Sequence, residues 1–157
     1  MSKIDPNIQT VVLLGEPLLV KKSVDMWVQT WLPNGTDETS FIVYDALEDD
    51  PVEIASELFL TSMFASDKVL LIRGVERSSG AFFEPLLPFL ENPVSGSHLL
   101  ITGEAYPKDG GNKAFKKWKR IFSKKGYKET FALKDFDSVG FVKQRAKELG
   151  VSIESTA

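Results

Sequence analysis

The chain has 157 residues, 43% of them hydrophobic and 26% charged, with a formal net charge of −3, which fits one compact domain with a real core rather than a disordered chain. It has no cysteine and one histidine, which excludes disulfides, thiolate metal sites and histidine-rich metal centres. No apolar run approaches the roughly 20 residues of a membrane helix, and Met1 to Pro6 lacks the apolar core of a signal peptide, so the sequence reads as soluble and cytoplasmic.

The charge is uneven. Through residue 110 there are 7 basic against 17 acidic residues, and from 111 onward 12 basic against 5 acidic. Such asymmetry marks either a nucleic-acid or acidic-partner face near the C-terminus or two oppositely charged solvated surfaces, the simpler reading.

In chain order, Thr10 to Leu14 is a β-branched apolar run closed by Gly15, a buried strand. Pro17 suits a first helical turn, and Leu18, Leu19, Met26, Trp27 and Trp31 predict a helix with a broad apolar stripe, ended by Pro33 to Gly35. Phe41 to Tyr44 is a second strand. After the acidic loop Asp45 to Asp50, Pro51 opens a helix carrying Ile54, Ala55, Leu58 and Phe59. Lys68 to Arg73 is the third strand. Phe82 to Leu90 reads as a helix interrupted by Pro85 and Pro88, and Ser97 to Thr102 as the fourth strand. Asn112 to Lys124 is a basic helix capped by Gly126, Tyr127 to Leu133 a weaker fifth strand, and Asp137 to Leu149 a last helix. Strands alternating with helices predict an α/β fold, a mostly parallel five-stranded sheet with helices on both faces.

In such sheets ligands bind beyond the carboxyl ends of the strands, so the first strand-to-helix turn is where phosphate chemistry would sit. A phosphate loop needs G-x-x-x-x-G-K-[ST]: glycines let backbone amides wrap phosphates, lysine neutralises charge, and the hydroxyl holds magnesium. Here Gly15 and Lys21 are in place, but Val20 replaces the second glycine, Lys22 replaces the hydroxyl residue, and Pro17 removes an amide donor. The third strand ends in Arg73 where a Walker B site needs carboxylates, and Glu76 arrives too late. The scaffold reads as that of an NTPase with a degenerate site, so no catalytic residue, cofactor or metal is expected.

Other candidates are weaker. His98 starts an apolar strand with no acid partner in sequence and reads as a structural or edge histidine. Glu48, Asp49 and Asp50 are adjacent carboxylates of the kind usually just solvated, and Gly110 and Gly111 read as a flexible turn. The stretch Leu58 to Ser66 is more informative. Met63 and Phe64 fall past the helical stripe between small hydroxyl residues, either closing the core beneath the loop or forming an apolar plug for a partner's pocket.

Ser62 to Ile72 resembles the bacterial clamp-loader delta subunit of DNA polymerase III, in which a small polar residue, an apolar residue and phenylalanine precede a polar pair and an apolar strand. The opening strand ending in Gly15 and Glu16, Pro93 before the fourth strand, and Phe141 to Gly150 are similar to the same family. The resemblance implies an AAA+-type fold (P-loop NTPase-like) over residues 1–135 and the start of an incomplete lid-like helical domain over 136–157. It implies a non-catalytic subunit in DNA replication that binds the sliding clamp (beta subunit) and helps open the ring, beside other clamp-loader subunits. Met63 and Phe64, with Leu60, Ser62 and Ala65 around them, would enter the clamp pocket. Two alternatives stand beside it: DNA contact through Lys113, Lys116, Lys117, Lys119 and Arg120, against which Phe115, Trp118 and Phe122 fit a core-facing stripe, and an atypical nucleotide-binding site.

Overall fold

In the computed structural model, residues 8–60, 67–108 and 111–132 are described. Five strands, β1 (Thr10–Gly15), β2 (Phe41–Asp45), β3 (Lys68–Arg73), β4 (Ser97–Gly103) and β5 (Tyr127–Phe131), alternate with helices α1 (Pro17–Trp31), α2 (Pro51–Phe59), α3 (Leu87–Glu91) and α4 (Lys113–Lys125). The strands form one sheet in the order β2-β3-β4-β1-β5, with every pairing parallel.

That order fixes where the helices lie. The chain steps from β2 to β3 to β4 and on to β5 in one direction, and from β1 to β2 in the other. Right-handed crossovers therefore put α1 on one face and the remaining helices on the opposite face. The core divides accordingly. Val11, Leu13, Leu100, Trp27 and Trp31 pack under α1, while Val12, Ile54, Leu58, Phe83, Phe115 and Trp118 pack on the other side. Successive strand residues thus feed opposite cores, which is why β1, β3 and β4 read as unbroken apolar runs.

Several expectations are corrected. The helix expected over Phe82 to Leu90 is a 3-10 turn (Gly80–Phe83) followed by the short α3, because Pro85 and Pro88 each remove an amide donor. Leu18 is outside the α1 stripe and half exposed, while Val20, Ser23 and Val24 are inside it. Gly126 ends α4 with extended backbone; a side chain there would collide with the Phe122 ring, 2.0 Å from the added Cβ. The stripe on α4 holds, with Phe115, Trp118 and Phe122 all buried and the Trp118 and Phe122 rings stacked at 4.6 Å. Leu133, the helix expected over Asp137 to Leu149 and the lid-like domain over 136–157 lie outside the described residues, as does Gly110. Among the described residues no helix is long and apolar enough to cross a membrane.

Candidate functional site

Two places deserve comparison, one at each edge of the sheet. At the carboxyl edge, β1 turns into α1 through Gly15 and Glu16 alone, and Pro17 is already helical. Gly15 has φ 123° and sits so close to β5 that a Cβ would lie 1.9 Å from the Phe131 carbonyl oxygen. The Glu16 amide donates to that same carbonyl at 2.9 Å. The Glu16 carboxylate then folds over the start of the helix and accepts from the amides of Leu18 (2.8 Å) and Leu19 (3.1 Å). An anion already occupies the position where a helix N-terminus would receive a phosphate.

This places the residues that the sequence reading set against a phosphate motif. With the helix starting at Pro17, Val20, Lys21 and Lys22 are helical and form no loop. Val20 and Lys21 line an open groove of about 840 Å³, with Val43, Leu71, Arg73 and Thr102 across from them. Arg73 ends β3 and is exposed. Glu76 accepts from the Glu104 amide at 2.9 Å, tying the ends of β3 and β4 together. Arg77 donates to Asp45 at 2.6 Å, and that hydrogen bond holds the Asp45 carboxyl below the usual carboxylate range. Thr102 donates its hydroxyl to the Ile72 carbonyl at 3.0 Å.

At the amino edge, α2 ends and β3 begins. Asp50 caps the helix start by accepting from the Val52 amide, and Pro51 opens the first turn. Ile54 and Leu58, one turn apart, are fully buried and fasten the inner face. The outer face is mixed: Glu53 and Ser56 are exposed on it, as are Val52 (56%), Phe59 (40%) and Leu60 (60%), with Phe59 resting edge-on against Phe89 at 5.9 Å. The helix end is closed by Lys68, the first residue of β3. Its ammonium donates to the Glu57 carbonyl, to the Leu60 carbonyl at 2.6 Å and to the Glu57 carboxylate at 2.8 Å. A cation at a helix C-terminus meets both the negative dipole end and the carbonyls the helix leaves unpaired. The side chain is 11% exposed, a burial a lysine tolerates when all its donors are used.

Beside Lys68, the Asp67 carboxylate lies 3.1 Å from His98 Nε2 and accepts its N–H. His98 is buried in the central strand β4, stacked on Trp31 at 4.5 Å, and burial lowers its pKa against the opposing pull of Asp67. It is structural, as read from sequence, but β4 is the central strand rather than an outer one, and the histidine has an acid partner. Of the five residues expected to meet a partner, Leu60 is exposed at the end of α2; Ser62, Met63, Phe64 and Ala65 lie outside the described residues.

The remaining candidates are dispersed. Asp49 accepts from the Asp45 amide at 2.7 Å and Asp50 caps α2, so these carboxylates have structural uses. Among the described residues no group of three His, Asp or Glu side chains could hold a metal. On α4, Lys113, Lys116, Lys117 and Arg120 are exposed, Lys119 lies over the Phe115 ring at 4.5 Å, and Lys117 approaches Glu91 at 3.9 Å. Glu16, Asp67 and Lys68, the three charged residues that shape the two edges, entered the sequence reading only as part of the family resemblance and the strand boundaries, with no structural role assigned to their side chains.

No family model matches the chain, and no curated protein sequence matches it. Among solved structures, a Bacillus subtilis DNA clamp loader delta protein is similar at 14% identity with a TM-score of 0.68, covering 89% of this chain and 43% of that one. A DNA polymerase III gamma subunit-related protein from Thermotoga maritima is similar at 13% identity with a TM-score of 0.53, covering 92% of this chain and 50% of that one. The chain thus spans half or less of the length of each neighbour. At these identities the likeness is one of architecture: the parallel five-stranded sheet and its helices match the α/β fold of these two clamp-loader-related structures.

Proposed function

We propose that the chain acts as a delta-like clamp-loader subunit: it binds the DNA polymerase sliding clamp and helps open the ring for loading onto DNA, without hydrolysing ATP itself. The end of α2 carries this reading. There the polar groups are satisfied from within while Phe59 and Leu60 face outward, and the chain runs on into Ser62, Met63, Phe64 and Ala65, the residues proposed to enter the clamp pocket. An exposed aromatic beside aliphatic side chains on a fixed helix end is the composition of an interface anchor. The fold shared with clamp-loader subunits supports the same reading, and the Glu16 carboxylate over the first amides of α1 supports the absence of a nucleotide role. Association with other loader subunits belongs to the same proposal.

Ring opening follows only from differential binding. A module that binds the strained or open clamp more tightly than the closed one shifts the ring by that difference and no more. The test is binding of this chain to its sliding clamp beside a folded Met63→Ala/Phe64→Ala variant. The variant is expected to lose at least about a hundredfold in affinity, as two anchor residues would. Equal binding by both proteins contradicts the site, and no binding by either contradicts the function.

One observation favours a second reading. From Asn112 to Lys128 there are eight basic residues and no acidic one, and most of these cations face outward on or just beyond α4. DNA-backbone contact through Lys113, Lys116 and Arg120 would show as affinity for DNA falling steeply with salt, undiminished by the Met63→Ala/Phe64→Ala change.

A further inference from the structure

We infer that Lys68 is a positioning residue for the docking surface proposed above, fixing the last turn of α2 so that Phe59 and Leu60 present one rigid apolar edge; the inference rests on that reading. A lysine opening a strand is ordinarily solvated, since its flexible stem easily reaches water. Lys68 does the reverse. It turns its ammonium inward under α2 and donates to the carbonyls of Glu57 and Leu60 and to the Glu57 carboxylate.

The arrangement does two things at once. It joins residues 8 and 11 positions apart through a single cation, so the helix end and the strand start cannot separate without exposing a buried charge and taking the lysine partner from the Leu60 carbonyl. It also fixes the backbone of Leu60, whose amide is held by the Ser56 and Glu57 carbonyls at 3.1 and 3.2 Å and whose own carbonyl is held by Lys68. Both backbone groups of Leu60, extended at ψ 126°, are thus engaged, and its side chain is left exposed. An edge ordered in advance loses less entropy when a partner covers it.

The other charged neighbour points the same way. Asp67, the residue before Lys68, is held by His98 of β4. The adjacent residues 67 and 68 therefore anchor the start of β3 to the sheet on one side and to α2 on the other.

The test uses the full chain with Lys68→Met, which keeps the apolar stem and removes the charge, and with Glu57→Gln, which leaves both carbonyl acceptors. Two readouts are taken: affinity for the sliding clamp, and amide exchange at Leu60 compared with core amides of β3 and β4. Lys68→Met is expected to weaken clamp binding about tenfold, and to speed exchange at Leu60 by a similar factor, as expected for losing a charged hydrogen-bond donor, while the strand amides stay as protected as before. A role in global stability alone would change all amides together and leave the affinity of the folded protein unaltered. Unchanged clamp affinity in folded Lys68→Met overturns the inference. If Lys68→Met does not fold, Glu57→Gln decides, with a smaller loss of affinity supporting the role and none opposing it. If the unaltered chain binds no clamp, the functional reading fails by itself. Exchange at Leu60 then decides the positioning role separately, faster exchange sustaining it and unchanged exchange overturning it.

Discussion

The turn from β1 into α1 and the junction from α2 into β3 lie at opposite edges of one parallel sheet, and at each a helix end meets a charged side chain of its own chain. At the first, the Glu16 carboxylate takes the amides of Leu18 and Leu19 and Gly15 is pressed against β5, so a place where such folds commonly receive phosphate is filled from within. At the second, the Lys68 ammonium takes the carbonyls that end α2, yet beside it Leu60 and part of Phe59 stay exposed. The same device, an internal counter-charge for the helix dipole, closes the helix start at one edge and leaves apolar side chains open to solvent beside the helix end at the other.

The largest effect of breaking this contrast is expected at the closed edge. Gly15→Ala puts a methyl group where the Phe131 carbonyl stands and forces a left-handed backbone on a residue with a side chain. The expected loss is about 3 kcal/mol or more of stability, read by denaturant unfolding, with no gain in nucleotide affinity. The open edge should behave oppositely. Leu60→Glu touches an exposed side chain, so stability should change by less than about 0.5 kcal/mol, while clamp affinity falls about tenfold.

The smallest effect sharpens the comparison through pH. His98, which holds Asp67 next to Lys68, has its pKa lowered from 6.5 by burial, against the opposing pull of the Asp67 carboxylate. The unfolded chain then binds the proton more readily than the folded one. The stability from the neutral histidine is complete above the unfolded value and is lost as pH falls through the lower folded value. Between about pH 7 and pH 6 stability should therefore decline by a fraction of the roughly 1.4 kcal/mol per pH unit that one proton can supply. His98→Phe should flatten that slope in thermal unfolding measured across the window.

The sequence made the sheet legible because its strands are short β-branched runs bounded by glycine, proline or charge, and the buried face of α4 because Phe115, Trp118 and Phe122 repeat at helical spacing. Where prolines competed with an apolar stripe, near Pro85 and Pro88, the stripe was over-read as one helix. Val20 and Lys22 were what set the sequence apart from a phosphate motif, and both were visible in it. The carboxylate that fills the helix start was not, because glutamate is an unusual cap and its role depends on the two-residue turn. Lys68 and the pair Asp67–His98 were hidden for a different reason. The lysine's acceptors lie back along the chain at the end of α2. Asp67 meets His98 only because β3 and β4 pair in parallel with Val69 opposite His98. Neither closeness has a local signature.

The most direct measurement is an amide-exchange footprint of the chain with and without its sliding clamp. New protection is expected at the end of α2, from Ser56 through Leu60 and into the residues that follow, with no change from Gly15 to Lys21. Protection confined to the β1–α1 turn or to α4, or no footprint at all, would contradict it.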